Sequence, residues 1–204
     1  MINIKVGIID YDLGNQDSLF YTLKSIGFRV LLSNKPKILL KMDLIILPGV
    51  GAFPKAMKSL KKNGLDNFLI NWSKKDKPII GICLGMQLLC TKSYEFKETK
   101  GLNLIKGEII NLKNRNWHIG WNDNTPLVHE KFFIGLKRQQ FYYNHSFKFF
   151  GNSKFVISKC DFQKEWIPSI IKSKNIIGIQ FHPEKSQSSG KKLLLNIIKK
   201  LLNG

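Results

Sequence analysis

The chain has 204 residues, of which 43 % are hydrophobic, and 33 Lys and Arg stand against 14 Asp and Glu for a formal net charge of +19. That hydrophobic share excludes an intrinsically disordered chain, the length allows one large domain or two small ones with a real core, and no apolar run approaches the ~20 residues needed to cross a bilayer. The basic residues are mostly Lys, spread singly or in pairs such as Lys61-Lys62 and Lys199-Lys200, which reads as a solvated surface. A basic nucleic-acid-binding module would cluster such residues with aromatics, and only the stretch from Arg138 to Tyr143 hints at that.

In chain order, Ile4 to Ile9 fits a buried strand, with Asn3 and Lys5 interrupting any leader-like run and no small-residue cleavage site, so a cytoplasmic protein is expected. Asp17 to Ile26 has Leu19, Phe20, Leu23 and Ile26 at helical spacing, with Gly27 as a stop. Strands are expected at Phe28–Leu32, Leu44–Leu47 and Pro78–Ile82, and helices at Phe53–Leu60 and Leu65–Trp72. Strand and helix thus alternate over the first 90 residues, and the strands are apolar on both faces. That pattern implies a parallel sheet covered by helices. Beyond residue 100, Leu104–Leu112, Phe141–Phe150, Phe155–Cys160 and Ile176–Phe181 read as strands. Lys191–Leu202 closes as an amphipathic helix with Leu194, Leu195, Ile198, Leu201 and Leu202 on one face. The expected architecture is a single α/β domain over residues 1–204: a central, mostly parallel sheet flanked by helices, with an antiparallel addition in the second half.

Three cysteines, Cys83, Cys90 and Cys160, form no CxxC pair, so neither a disulfide framework nor a zinc cluster is expected, and no cofactor is called for. The sharpest feature is Gly81-Ile82-Cys83-Leu84-Gly85, where a buried strand runs into a helical stretch. This is a nucleophile elbow with Cys in place of Ser. The turn exposes the side chain at a helix N-terminus, where the thiolate is favoured, and aims the Leu84 N–H at a developing oxyanion. A buried structural Cys in a tight turn is the alternative.

A Cys nucleophile needs a base. Of His118, His129, His145 and His182, only His182 directly follows a predicted strand, Ile176–Phe181, at the edge where α/β sheets build their sites. Glu184, two residues on, can place a carboxylate behind the imidazole. A second loop, Pro48-Gly49-Val50-Gly51, follows the third strand on the same edge. It can cradle phosphate weakly or, better, present oxyanion-hole N–H groups from Gly49, Val50 and Gly51.

Gly81-Ile-Cys83-Leu-Gly85-Met-Gln87 together with Phe181-His182-Pro183-Glu184-Lys185-Ser186 resembles the class I (triad) glutamine amidotransferases, whose fold is flavodoxin-like. Leu47–Phe53, His118-Ile-Gly-Trp-Asn122 and Phe141–Phe147 narrow the resemblance to the glutaminase subunits of imidazole glycerol phosphate synthase, over nearly the whole chain. It implies that Cys83 attacks the side-chain amide of glutamine, that His182 serves as base and then acid under the control of Glu184, and that a thioester is hydrolysed to glutamate. It further implies that Gln87, Glu95, His145 and Ser146 contact the α-amino and α-carboxylate groups. The implied partner is a (β/α)8-barrel cyclase that receives the ammonia in a heterodimer, facing Asn15, His118, Trp121 and Lys185. Neither nucleic acid nor membrane is implied. Where the family often has Pro before the first His, this chain has Trp117, and Asn144 replaces a more usual apolar residue before His145. Two other enzymatic readings share these motifs: a paralogue supplying ammonia for amidine formation on a surface sugar, and a partner-independent Cys-His-Glu hydrolase.

Overall fold

Short apolar strands separated by helices carry the chain back and forth across one sheet. The computed structural model describes residues 3–136 and 139–203; Arg138 of the basic–aromatic stretch lies outside them. In chain order the elements are β1 (Lys5–Ile9), α1 (Gln16–Ser25), β2 (Arg29–Ser33), α2 (Pro36–Leu39), β3 (Leu44–Leu47), α3 (Phe53–Lys62), α4 (Leu65–Ser73), β4 (Ile79–Ile82), α5 (Leu84–Leu88), β5 (Cys90–Ser93), β6 (Thr99–Lys100) and β7 (Ile105–Asn111). There follow β8 (His118–Asp123), β9 (Thr125–Pro126), β10 (Gln140–His145), β11 (Phe147–Phe150), β12 (Val156–Phe162), β13 (Glu165–Ser173), β14 (Ile176–Ile179) and α6 (Gln187–Asn203).

The main sheet runs β2-β1-β3-β4-β14-β13-β12-β9. Its first five strands are parallel and the rest antiparallel. Alternate residues of the central strands point to opposite faces. Val6, Ile8, Leu44, Ile46, Ile80 and Ile177 meet α1 and α6 on one side. Ile9, Ile45, Leu47, Ile79 and Ile176 meet α3, α4 and α5 on the other. This double burial is why the strands read as continuous apolar runs.

Two glycines let α5 lie directly on the sheet. A Cβ on Gly81 would stand 2.6 Å from the Gly85 carbonyl oxygen, and one on Gly85 would strike the Leu47 carbonyl. The elbow between them therefore sits flush with the strand ends.

The structure departs from the sequence expectations in its second half. Phe141–Phe150, read as one strand, is two. β10 pairs with β8 as a separate ribbon, with His145 opposite His118. β11 pairs with β7 in a four-stranded sheet ordered β11-β7-β5-β6. The break falls at Ser146, whose carbonyl accepts the Leu112 N–H at 2.9 Å. β13 was not foreseen because Pro168 withholds a ladder donor. The neighbouring strand shifts register around Ser158–Lys159, and Lys159 faces the proline. On α6 the fully buried stripe is Leu193, Leu194, Ile197 and Ile198, while Leu195, Leu201 and Leu202 are only partly covered.

Candidate active site

Cys83 leaves β4 with φ 53° and ψ −113°. L-residues enter such a region at a cost of about 1–3 kcal/mol, and only where the surroundings enforce it. Here its N–H donates to the Ile179 carbonyl of β14 at 2.7 Å, while its own carbonyl accepts from Gln87 N–H at 3.2 Å. Sheet and helix thus grip the backbone from both sides, and the residue borders the cavity. Its Sγ lies 3.8 Å from the Asn144 carbonyl oxygen.

His182 is delivered just past β14. Its N–H donates to the Tyr142 carbonyl at 2.8 Å. Ser186 Oγ fastens the segment twice, donating to the His182 carbonyl at 2.6 Å and accepting the Tyr142 N–H at 3.0 Å. Gly190 lets α6 press on the turn Pro183–Lys185, since a Cβ there would strike the Pro183 carbonyl. His182 Nδ1 donates to Glu184 Oε1 at 2.8 Å, which reserves Nε2 for the thiol. Burial works to lower the pKa of this imidazole. The charge and hydrogen bond of Cys83, and then those of Glu184, outweigh it and raise the pKa above the ordinary value. His182 is thus bonded to Glu184 on one side and acts electrostatically with Cys83 on the other.

The thiol and imidazole share a cavity of about 350 Å³. Gln87, Glu95, His145 and Ser146, expected to hold the substrate, all line it. Glu95 is anchored by the Phe53 N–H, which donates to its Oε2 at 2.6 Å. Burial raises its pKa, and that bond opposes the rise. Val50, Gly51 and Leu84, expected to supply oxyanion-hole N–H groups, line the cavity as well. Gly49 does not line it. Gly49 is wedged behind the loop, where a Cβ would lie 2.8 Å from Leu84 Cβ and 2.8 Å from the Tyr11 hydroxyl. That hydroxyl donates to the Pro48 carbonyl at 2.6 Å and fixes the root of the loop. Nothing in the sequence pattern singled out Tyr11, a buried aromatic just past a strand. Ala52, Trp117, Asn144 and Phe147 also line the cavity and were not expected there.

The bonding of His145 fixes its protonation. Its Nδ1 lies 2.8 Å from the Phe147 carbonyl, which can only accept, so Nδ1 carries the hydrogen and Nε2 is bare. His118 Nδ1 donates to that Nε2 at 3.1 Å. Asn122 Nδ2 then donates to His118 Nε2 at 3.2 Å. Both imidazoles are satisfied only when neutral. Burial accordingly lowers the pKa of His145 to about 3 and that of His118 to about 4. With both ring nitrogens engaged, His145 offers a substrate its ring face and main chain rather than a ring N–H.

His118 also corrects an expectation. It was placed on the partner-facing surface but is only 2 % exposed, stacked between Tyr143 and Phe162 at centroid distances of 4.5 and 4.2 Å. Strand alternation explains this: in β8 residue 118 turns inward while Ile119 and Trp121 turn outward. Trp121 and Lys185 are exposed beside Tyr142, with the Trp121 ring 6.3 Å and Lys185 Nζ 5.8 Å from its ring centre. Asn15 is the half-buried N-cap of α1.

All three cysteines are free. Among the described residues no group of three His, Cys, Asp or Glu is placed to hold a metal ion, and no helix is long and apolar enough to cross a membrane.

A family model described as glutamine amidotransferase class-I matches residues 7–201. The chain is 41 % identical to the imidazole glycerol phosphate synthase subunit HisH of Aquifex aeolicus, covering 95 % of each chain. It is 38 % identical to the subunit of the same name from Carboxydothermus hydrogenoformans, covering 93 % of this chain and 96 % of that one. Among solved structures it resembles PurLQS from Thermotoga maritima, with a TM-score of 0.75 at 19 % identity, covering 98 % of this chain and 100 % of that one. At that identity the likeness speaks for the fold.

Proposed function

The chain belongs to the class I glutamine amidotransferases, and from that premise we infer how its cavity works. It is the glutaminase subunit of an imidazole glycerol phosphate synthase, in histidine biosynthesis. In our reading it forms one amidotransferase domain and works in the cytoplasm as a heterodimer. It passes ammonia to a (β/α)8-barrel cyclase that makes imidazole glycerol phosphate and AICAR.

The observation that carries the reading is that Cys83 and His182 line one cavity, with Glu184 hydrogen-bonded to the far side of the imidazole. Glutamine enters with its α-amino and α-carboxylate groups toward Gln87, Glu95, His145 and Ser146. Cys83 Sγ attacks the side-chain amide carbon, and His182 Nε2 takes the thiol proton. The oxyanion is met by N–H groups of Leu84 and the Val50–Gly51 loop. His182 returns the proton to the leaving nitrogen, and ammonia departs. Water, deprotonated by the same imidazole, then hydrolyses the γ-glutamyl thioester to glutamate and restores Cys83. Glu184 holds the ring in its tautomer and stabilises the imidazolium that forms.

The test is glutamate release from glutamine by the purified chain with its cognate barrel subunit and that subunit's ligand. We expect strong stimulation by the partner and no turnover in Cys83→Ala. Absence of glutamate in the reconstituted pair refutes the reading. The identity of 38–41 % to HisH subunits supports the histidine-pathway acceptor over a surface sugar. The exposed Trp121 and Lys185 beside Tyr142 support it over a partner-independent hydrolase.

A further inference from the structure

The two positions that depart from the family pattern touch each other. Trp117 Nε1–H donates to Asn144 Oδ1 at 2.8 Å, and both residues line the cavity. His118 pairs with His145 and Ile119 with Asn144, so Trp117 stands one residue beyond the ribbon's last pair, at the end where Ser146 leaves it. To reach Asn144 its indole must cross the ribbon diagonally, a span open to a long aromatic side chain. It thus runs from the Ser146 end of the cavity to the Asn144 end, where the Asn144 carbonyl meets Cys83 Sγ at 3.8 Å.

The indole is otherwise poorly held: Trp117 is 61 % exposed. A single neutral hydrogen bond at such a site biases a side chain by roughly 2- to 12-fold. That is enough to favour the crossed position and too little to lock it. Cys83, by contrast, is only 6 % exposed although it borders an open cavity.

We propose that Trp117, latched by Asn144, is a swinging wall of the glutamine pocket that closes over the γ-glutamyl chain and sets the size of molecule that reaches Cys83. The proposal rests on the cavity being the glutamine pocket. It makes Trp117 a specificity-determining residue: the wall admits free glutamine and slows larger γ-glutamyl amides.

The test reads the thiol directly and needs no turnover. Cys83 in the full chain is alkylated with a small haloacetamide and with a bulky dye-bearing maleimide, and the Cys83 peptide is quantified by mass spectrometry. Cys90 and Cys160 are fully buried and give an internal baseline. Trp117→Ala is expected to speed the bulky reagent about tenfold while changing the small one less than twofold. Trp117→Phe and Asn144→Ala, which each remove the same bond, are each expected to speed the bulky reagent about threefold, and the double variant no more than either. In the complex, Trp117→Ala is expected to raise KM for glutamine severalfold with kcat within twofold. An unchanged ratio of bulky to small reagent in Trp117→Ala overturns the wall. Multiplying effects of Trp117→Phe and Asn144→Ala overturn the latch. If Trp117→Ala fails to fold, Trp117→Phe and Asn144→Ala decide the matter. Loss of glutamate release in the wild-type pair would refute the glutaminase reading, while the alkylation ratios still judge the wall.

Discussion

Cys83 and His182 are each held by more than one backbone bond, and Glu184 by the His182 imidazole, so substitutions there should act on rate more than on folding. Cys83→Ser should lower glutamate release by roughly several hundredfold or more, because a hydroxyl is a far weaker nucleophile than a thiolate. Glu184→Gln should keep the melting temperature and lose about 10²–10⁴-fold in kcat, since the carboxylate that selects the His182 tautomer is gone. The neutral pair His118–His145 has a different consequence. Their pKa values, about 4 and about 3 in the folded chain, lie below the ordinary 6.5, so the unfolded chain binds more protons between those limits. Their contribution to stability is complete above pH 6.5 and is lost as pH falls toward 4 and 3. His182 has the opposite sign: its raised pKa stabilises below pH 6.5, and that contribution fades as pH rises through the raised value. Melting temperature followed from pH 7 down to pH 4 should therefore fall, and His145→Gln should flatten the fall.

At the scale of elements, the elbow works because α5 lies against the strand ends without side chains between them. Gly85→Ala should destabilise the fold by about 3 kcal/mol or more, because its Cβ meets a backbone carbonyl that cannot yield. A urea titration would measure this. These parts were readable from the sequence. Apolar runs such as Leu44–Leu47 and Ile79–Ile82 announced doubly buried parallel strands, and Gly81-x-Cys83-x-Gly85 announced the turn. The second half was less readable. Nothing local marks Ser146 as the point where one apolar stretch divides between two sheets, because each half keeps its strand pattern. Pro168 hid β13, whose place depends on a register shift in its neighbour. His118 was misplaced because a motif gives a position but not which side of the strand it faces. Trp117 and Asn144 stood out only as departures; their contact required the ribbon's register.

For the whole molecule, the outward face of β8 and β10 is the feature that calls for a partner. Ile119 and Trp121 are exposed at 59 % and 49 %, next to Tyr142 and Lys185. Exposed aromatic clusters of this kind mark protein interfaces, and a central Trp there is worth about 2 kcal/mol or more when truncated. Trp121→Ala should leave the free chain's melting temperature unchanged and weaken binding of the barrel subunit at least tenfold by calorimetry. Lys185→Ala should blunt stimulation by that subunit. The division at Ser146 reaches further still. Cys83 and Gln87 belong with the main sheet, His145 with the β8–β10 ribbon, and Phe147 and Glu95 with the four-stranded sheet and the loop beside it. An amino acid lodged among them is a rivet through three plates. Amide exchange should slow in all three when a non-hydrolysable glutamine analogue is added, and the heat needed to pull them apart should rise with its concentration.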